Sequence, residues 1–576
     1  MSFFSRKSRS AATPPAAQES ARSSKPQDPR LISQVTFARL RSPRFTVTPP
    51  PTDFVGRMAE LEELLANFER GVLIVGANGD AGVGTTALAR RLVFALADDY
   101  LDGCLELDLR GAPFSVDEPL DPVEAQRRLL RPFYPHEILP DDPKALNELY
   151  RDTFSDRQTL VLLDNAASGV QLRPLIPPKP SAVIVTTSQA DMALNWAKLY
   201  RLELGGLTPD EGRELLVRVS GLNETMHRAT LDKIAEQFGY FPLALRVAAS
   251  LLKEPFSWSP RELLKQAAAT HKSQTALRGS VTVNLGVNVA LEMLYEALSP
   301  ELRSHFENLT VFPGAFTQMA ASAVWNIDPK EAEETLVELA RYNLLDYRTT
   351  TYSYVHHDLV RLYAQDLLLG QMRLTDTVVM RYADYVLDQA KHANELYQNE
   401  ATSADGLLRF SALWPDLWKA WNRMSGSDIG WHPPQDPNRW LCEFPAQVSA
   451  ILSVMRPLEE RRMVLSRAVE AARALDDEDV EMVYQGELGR VAASLGDIQN
   501  ALACHERQLE IAYKLRDRLQ EADALMNVGQ TCGALGDIAR AKEVWRQSSA
   551  LFRMIGDDRA AQVELWLRAL EGKSRA

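Results

Sequence analysis

Apolar positions in the first third of the chain form short continuous runs, separated by stretches with helical spacing. The runs are GVLIVGAN (71–78), GCLELDLRG (103–111), TLVLLDN (159–165) and AVIVTTS (182–188). Strands that are apolar on both faces, with helices between them, are typical of a parallel sheet covered by helices on either side. We therefore predict an α/β domain with a parallel sheet at residues 52–200.

Beyond Leu207 the apolar spacing is helical to the end of the chain, with two exceptions. The segment TTTYSYVHHD (349–358), which follows several short helices, predicts a small β-wing. A segment rich in Pro and Trp, GWHPPQDPNRW (430–440), interrupts the later helices. The pattern as a whole predicts a multidomain α/β plus α protein.

The C-terminal helices repeat with a period of 40 residues. The motif LGDI at 495–498 recurs at 535–538, and Gly489 recurs as Gly529. Three aspartates keep the same step: Asp477, Asp517 and Asp557. Helix pairs with small residues at their crossing are typical of tetratricopeptide-like repeats, an α-solenoid that we place at residues 461–573. Its concave surface would bind a protein partner; alternatively, it packs only against the α/β domain of its own chain.

Composition excludes several classes of protein. The 576 residues are 45% hydrophobic and 24% charged, which is ordinary for globular protein, and the chain is too long for a single core. No apolar run approaches the roughly 18 residues of a membrane span, and the first ten residues lack the pattern of a secretion signal. The four cysteines lie far apart, without metal-ligand spacing. We expect a cytoplasmic protein with no transmembrane segment.

The formal net charge of −13 is unevenly spread. Residues 1–50 carry nine basic and two acidic side chains, a charge of +7, which leaves −20 for the rest of the chain. An acidic body argues against direct DNA binding. We predict a disordered, basic, Ser/Pro-rich tail at residues 1–51. The alternatives are a contact of this tail with the acidic body or with a membrane surface.

A glycine-rich turn, GDAGVGTTALARRLVFAL (79–96), leads from the first predicted strand into a helix. Glycines let consecutive backbone N–H groups face a phosphate, and the helix N-terminus adds its positive end. Against the pattern G-x-x-x-x-G-K-[ST], the glycines and the hydroxyl of Thr86 are present, but Thr85 replaces the lysine. The segment predicts a P-loop without its cation; the alternative is a tight strand–helix connection.

The third apolar run ends at Asp164, where P-loop proteins place a carboxylate that binds magnesium. Asn165 follows, at a position where a second acid often aligns water. A buried strand that ends in Asp-Asn is also a common turn, so the alternative to a magnesium site is a structural one.

Further motifs, in order along the chain, resemble those of NB-ARC ATPases, part of the STAND class. They are FVGR (54–57), the box Gly239-x-x-Pro242-Leu-Ala-Leu, and HHDLVRLYA (356–364). Together with GCLELDLRG and LVLLDNA, they are similar to bacterial transcription-regulator relatives that carry tetratricopeptide tails. The segment SALWPDLWKAWNRM (411–424) resembles the bridge that those proteins place before their repeats. The resemblance covers about residue 52 to the end.

The resemblance implies a set of domains and a ligand. A P-loop nucleotide-binding domain at 52–200 would be followed by a helical ARC subdomain at 201–280, a winged helix at 281–372 and a helical bridge at 373–460. The ligand would be ADP or ATP with Mg²⁺. In such proteins ADP locks these parts into a closed form, and exchange for ATP exposes a surface for assembly.

The resemblance also assigns roles to residues. Val55 and Arg57 would border the adenine and ribose, Pro242 would pack on the base, and His357 would touch the β-phosphate of ADP. Thr86 and Asp164 would hold Mg²⁺. The complete nucleotide-binding set would be Val55, Arg57, Gly79, Gly82, Gly84, Thr85, Thr86, Pro242 and His357.

The chain departs from the family pattern at two cations. Thr85 stands in place of the P-loop lysine, and Gln189 in place of the sensor arginine. Because both cations would meet the terminal phosphates, their loss should harm triphosphate binding and hydrolysis more than ADP binding. Arg90 and Arg91 are possible substitutes, but their place in the second turn of the helix directs them elsewhere.

Three hypotheses follow. In the first, a STAND-type signalling switch binds ADP or ATP, hydrolyses weakly or not at all, and couples nucleotide state to protein–protein interaction or homo-oligomer assembly through its repeats. In the second, a nucleotide-free pseudo-ATPase scaffold acts only by binding protein. In the third, a working ATPase uses a non-standard cation. No catalytic residue is predicted.

Overall fold

The computed structural model of the chain describes residues 44–77, 80–111, 119–135, 137, 139–140, 142–189, 198–278, 285–348, 351–371, 376–428 and 433–573. The basic tail as far as residue 43 lies outside these ranges, and so does Gly79 of the predicted phosphate loop.

A five-stranded parallel sheet forms the N-terminal part. Its strands, in spatial order, are β2 (Gly103–Asp108), β3 (Thr159–Asp164), β4 (Ala182–Thr187), β1 (Gly71–Gly76) and β5 (Tyr200–Leu204). The four strands predicted from apolar runs are confirmed. The edge strand β5 was not predicted, because only Leu202 and Leu204 are buried and the strand has no continuous apolar run.

Helices pack on both faces of this sheet. They are α1 (Met58–Ala66), α2 (Thr85–Leu96), α3 (Pro122–Leu130), α4 (Pro143–Ser155) and the short α5 (Gly169–Leu172). Strand side chains such as Val161 and Val183 pack against those of α3 and α4, including Leu129 and Phe154. Burial of both sheet faces explains why β1, β3 and β4 are apolar throughout.

Residues just before the predicted end of the tail already pack on the sheet. Phe45 forms a parallel bridge with Cys104 of β2, and both Phe45 and Val47 are buried. Backbone N–H groups of Thr46 and Cys104 donate hydrogen bonds across this edge. Residues 45–47 of the predicted tail therefore pack on the sheet, since these two apolar side chains are buried at its edge.

In the described part of the chain, eight α-helices and a hairpin follow the sheet. The helices are α6 (Pro209–Ser220), α7 (Glu224–Gln237), α8 (Pro242–Ser250), α9 (Pro260–Arg278), α10 (Leu285–Ala297), α11 (Pro300–Asn308), α12 (Gln318–Trp325) and α13 (Pro329–Arg341). Strands β6 (Asp346–Arg348) and β7 (Ser353–Val355) pair antiparallel, as the predicted small β-wing requires. Local caps fix these helices: Thr208 and Glu211 form a capping box at the start of α6.

The remainder is helical. It comprises α14 (Asp358–Gln371), α15 (Asp376–Gln398), α16 (Ser403–Ser425), α17 (Asn438–Met455), α18 (Leu458–Ala474), α19 (Glu478–Ser494), α20 (Ile498–Leu515), α21 (Arg518–Leu535), α22 (Ile538–Ile555) and α23 (Arg559–Lys573). The predicted multidomain α/β plus α fold class is confirmed. Within the described part of the chain, no helix has both the length and the apolar character to cross a membrane.

The repeat period has a physical origin in helix caps. Asp477, Asp497, Asp517 and Asp537 each precede a helix, and each carboxylate accepts a hydrogen bond from a backbone N–H of the first turn. One aspartate per helix gives a step of 20 residues, and one helix pair gives 40. Glycines stand at the crossings: Gly489 lies against His505, and Gly529 against Trp545.

Candidate functional site

A single cavity lies between the end of the sheet, the start of α8 and the β6–β7 hairpin. Among the residues that line it are all the predicted site residues that the structure describes: Val55, Arg57, Gly82, Gly84, Thr85, Thr86, Asp164, Pro242 and His357. The fold thus brings together side chains separated by about 300 positions. Ser188 also lines the cavity, whereas Gln189 is not among the lining residues.

The glycine-rich loop has a backbone that only glycine adopts easily. Gly82 has φ of 84° and Gly84 has φ of 97°. A Cβ on Gly82 would lie 3.0 Å from Cδ1 of Leu359, at the start of α14. Gly84 is the N-cap of α2 and provides no side-chain cap. The loop therefore curls tightly against its neighbours and leaves the N-terminal end of α2 at the cavity, as binding of a phosphate requires.

Thr86 and Asp164, which the sequence predicts as magnesium ligands, contact each other. The Thr86 hydroxyl lies 2.9 Å and 3.1 Å from the two carboxylate oxygens of Asp164. The Thr186 hydroxyl donates to the same carboxylate. Burial raises the pKa of Asp164 to about 6, and the positive charge of Arg90 opposes that rise.

This donor set fits magnesium bound together with a nucleotide. The described residues contain no group of three or more His, Cys, Asp or Glu that could hold a metal ion by themselves. Mg²⁺ commonly takes one or two protein oxygens and completes its octahedron with phosphate oxygens and water. The Thr86 hydroxyl and the Asp164 carboxylate, beside the glycine loop, would supply these protein oxygens.

Two arginines of the cavity are engaged by neighbouring groups. The Arg57 guanidinium donates to Glu60 at 2.8 Å, to the Val83 carbonyl at 3.2 Å and to the Gly205 carbonyl at 2.5 Å. Arg90 donates from Nε and Nη2 to Glu106, at 2.9 Å and 2.6 Å. Arg57 thus ties the glycine loop to the end of β5, and Arg90 is held by Glu106 rather than directed at a phosphate.

His357 enters the cavity from the segment after β7 as a neutral imidazole. Its Nδ1 accepts a hydrogen bond of 3.3 Å from the backbone N–H of Leu359, so the ring proton resides on Nε2. Burial, opposed by the negative charge of Asp346 and aided by the positive charges of Arg246 and Arg90, lowers the pKa of His357 to about 4. A neutral ring with its proton on Nε2 can donate to an oxygen such as that of a β-phosphate.

Asp358 joins the hairpin side of the cavity to the sheet. Its carboxylate accepts a hydrogen bond of 2.8 Å from Nδ2 of Asn165, directly after β3. Burial raises the pKa of Asp358 to about 8, and the negative charges of Asp108 and Asp164 add to the rise. The predicted water-aligning position at Asn165 therefore forms a contact between two parts of the molecule.

Two further arginines of the cavity, Arg246 and Arg348, were not identified from the sequence. Arg246 of α8 donates from Nε to Asp53 at 2.8 Å. Arg348 is the last residue of β6 and lines the cavity from the hairpin. Neither belongs to a motif with a recognisable spacing. Arg246 directly follows the box Gly239-x-x-Pro242-Leu-Ala-Leu, and Arg348 precedes the HHD motif, but the motifs themselves do not include either arginine.

Comparisons with known proteins agree with this organisation. Residues 464–554 match the family model described as Tetratricopeptide repeat. The chain is 33% identical over 320 residues to Regulatory protein AfsR of Streptomyces griseus, which covers 54% of this chain and 32% of that protein. It is 23% identical over 303 residues to Disease resistance protein RML1A of Arabidopsis thaliana, covering 49% of this chain and 28% of that one.

A solved structure overlaps the chain more loosely. It is a Signal Transduction ATPase with Numerous Domains (STAND) protein with a tetratricopeptide repeat sensor from Pyrococcus horikoshii, at a TM-score of 0.36 and 15% identity, covering 90% of this chain and 86% of that one. The chain spans about a third of the length of the curated relatives it matches. The resemblance to NB-ARC regulators with tetratricopeptide repeats, drawn from the sequence, is confirmed.

Proposed function

We propose that this chain is a STAND-type regulatory switch that binds ADP, and ATP less well, with Mg²⁺ in the cavity, and that hydrolysis there is weak or absent. The observation that carries the proposal is the convergence of the glycine loop, the Thr86–Asp164 pair, Pro242 and His357 on one cavity. These are the groups that phosphate, magnesium and an adenine base require.

The preference for ADP follows from which cations are missing. Thr85 and Gln189 carry no charge where a lysine and an arginine would meet the terminal phosphates. Each charge-assisted hydrogen bond lost is worth roughly 1.5–3 kcal/mol. ADP would instead be held by the backbone of the loop, by Thr86 with its metal and by Nε2 of His357.

The cavity is built by separate parts of the chain, so a bound nucleotide would couple them. Residues 52–200 are the proposed nucleotide-binding domain, and the hairpin belongs to a proposed winged helix at 281–372. A ligand shifts an equilibrium only by its different affinity for the two forms. ADP that touches both the loop and His357 would favour the closed form, which the hydrogen bond between Asn165 and Asp358 already stabilises.

The output of the switch would be binding of protein. The tetratricopeptide array at residues 461–573, joined through a helical bridge at 373–460, offers its concave surface to a partner. We further propose that nucleotide exchange controls assembly of several copies of the chain. Direct DNA binding is not part of the proposal.

The test is the nucleotide content of purified, denatured protein, measured by ion-exchange chromatography. The proposal predicts ADP at close to one per chain, with a melting temperature that rises when MgADP is added to stripped protein. Protein without nucleotide, whose melting temperature is unmoved by millimolar MgADP, would refute the switch.

The absence of both expected cations favours a second candidate, a nucleotide-free scaffold that acts only through its repeats. This scaffold would bind a partner equally well before and after removal of nucleotide. Binding that depends on MgADP would exclude it.

A further inference from the structure

Arg348 is the cation of the cavity whose own hydrogen bonds are incomplete. It ends β6, pairs with Ser353 across the hairpin, and its half-buried side chain lines the cavity. Within the described part of the chain, its Nε is buried without a hydrogen-bond partner. A buried donor without a partner destabilises the protein, and a ligand oxygen would satisfy it.

The other arginines of the cavity differ in this respect. Arg57 and Arg90 are engaged by Glu60 and Glu106, as described above, and Arg246 is engaged by Asp53. Arg348 forms no ion pair with any carboxylate of the described residues. Among these four guanidinium groups, Arg348 is the one that has no carboxylate partner within the described residues.

Arg348 lines the same cavity as the carboxylates of Glu106, Asp108 and Asp164. Burial lowers the pKa of Arg348, as does Arg90, whereas Glu106, Asp108 and Asp164 raise it. The same Asp164 contacts Thr86, the proposed magnesium ligand at the start of α2. Because Arg348, Thr86 and Asp164 line one cavity, the guanidinium lies within electrostatic reach of the position that metal and phosphates would occupy.

We propose that Arg348 supplies the positive charge that the glycine loop lacks, by donating from its guanidinium to the terminal phosphate of a nucleoside diphosphate bound at Gly82–Thr86. The inference rests on the proposed function and extends it. A guanidinium suits this task, because its planar fork matches phosphate oxygens. Unlike the P-loop lysine, this guanidinium does not have to lie on the helix that follows the glycine loop.

The position of this cation has a consequence for regulation. A lysine on α2 would bind phosphate whether or not the hairpin is docked. A cation on β6 binds it only when the hairpin lies against the sheet, so phosphate affinity and closure become linked. Replacement of the loop lysine by Thr85 would then make nucleotide binding strictly dependent on the closed form.

Calorimetric titration of the stripped full chain with MgADP, and separately with AMP, tests the inference. Arg348→Ala should weaken MgADP binding by about 10- to 100-fold, the loss expected for one charge-assisted contact. Binding of AMP should change by less than about twofold, because AMP lacks the phosphate that Arg348 contacts. Adding Thr85→Lys to Arg348→Ala should restore most of the MgADP affinity.

Controls separate the possible failures. Arg341→Ala removes an equal charge at the exposed end of α13 and should leave MgADP affinity unchanged. Circular dichroism shows whether Arg348→Ala folds, and Arg348→Lys provides a milder variant that keeps the charge. If wild type binds MgADP and Arg348→Ala binds it equally well, the role of Arg348 is refuted while the proposed function stands. Equal losses for MgADP and AMP, without rescue by Thr85→Lys, would also overturn it. Wild type that binds no MgADP defeats the proposed function itself.

Discussion

Gly529 and Gly533, four residues apart on α21, should respond in opposite ways to replacement by alanine. A Cβ on Gly529 would lie 2.2 Å from Nε1 and 2.3 Å from Cδ1 of Trp545, on the neighbouring helix α22. No atom lies within 4 Å of a Cβ on Gly533. The two glycines therefore differ in packing but share one helix and one change of side chain.

The magnitudes follow from this difference. Gly529→Ala forces the indole to move and breaks the hydrogen bond of 3.0 Å from Trp545 Nε1 to the Met526 carbonyl. Overpacking costs about 1–3 kcal/mol, and the unsatisfied indole N–H about 1–3 kcal/mol more. The higher helix propensity of alanine returns up to about 1 kcal/mol. We expect a net loss of roughly 1–5 kcal/mol, against a gain of about 1 kcal/mol for Gly533→Ala.

Amide hydrogen exchange of peptides within 518–555 measures this local stability in the full chain. Each 1.4 kcal/mol changes the opening equilibrium by about tenfold. Gly529→Ala should accelerate exchange across both helices, and Gly533→Ala should slow it. Exchange in Gly529→Ala that is as slow as in wild type would show that the helices do not cross at this glycine.

Three further predictions concern the cavity. Since burial holds the pKa of Asp358 near 8 instead of its ordinary 3.8, the stability it contributes is lost as pH rises through that range. Asp358→Asn keeps an oxygen that can accept the hydrogen bond from Asn165, but it does not titrate. Between about pH 6 and pH 8 the melting temperature of this variant should therefore fall less than that of wild type. An equal fall in both proteins would contradict a raised pKa for the buried carboxyl. Thr86→Ala should weaken MgADP binding by about tenfold but leave binding of metal-free ADP unchanged, and Thr86→Ser should bind both ligands as wild type does. If Thr86→Ala weakened binding of MgADP and of metal-free ADP equally, Thr86 would not be a ligand of the metal. Thr85→Lys alone should raise ATP affinity by about tenfold or more in equilibrium titration, and no gain would mean that the missing lysine does not limit triphosphate binding.

Local chemistry made much of the fold predictable. The strands β1, β3 and β4 are buried on both faces, so their sequences are apolar throughout. The repeats are recognisable in the sequence because aspartates that cap helices and glycines at helix crossings recur at fixed steps. Strand β5 was not predicted because this edge strand is buried on one face only, so its sequence has no continuous apolar run.

The site was predictable only where its chemistry is local. The glycine loop and the end of β3 each have a pattern within a few residues, and the structure places both at the cavity. Arg348 has no such pattern, since it lines the cavity together with Asp164 although about 180 residues separate the two in the sequence. The engagement of Arg90 by Glu106 is likewise a contact between a helix and a neighbouring strand that no spacing reveals.

Hydrogen exchange of the stripped full chain, with and without saturating MgADP, tests whether one nucleotide bridges the glycine loop and the hairpin. We expect slower exchange in two separate segments at once, residues 82–90 and 346–358, with both effects lost when AMP replaces MgADP. Exchange unchanged in both segments at millimolar MgADP, or protection of the loop without the hairpin, would contradict it.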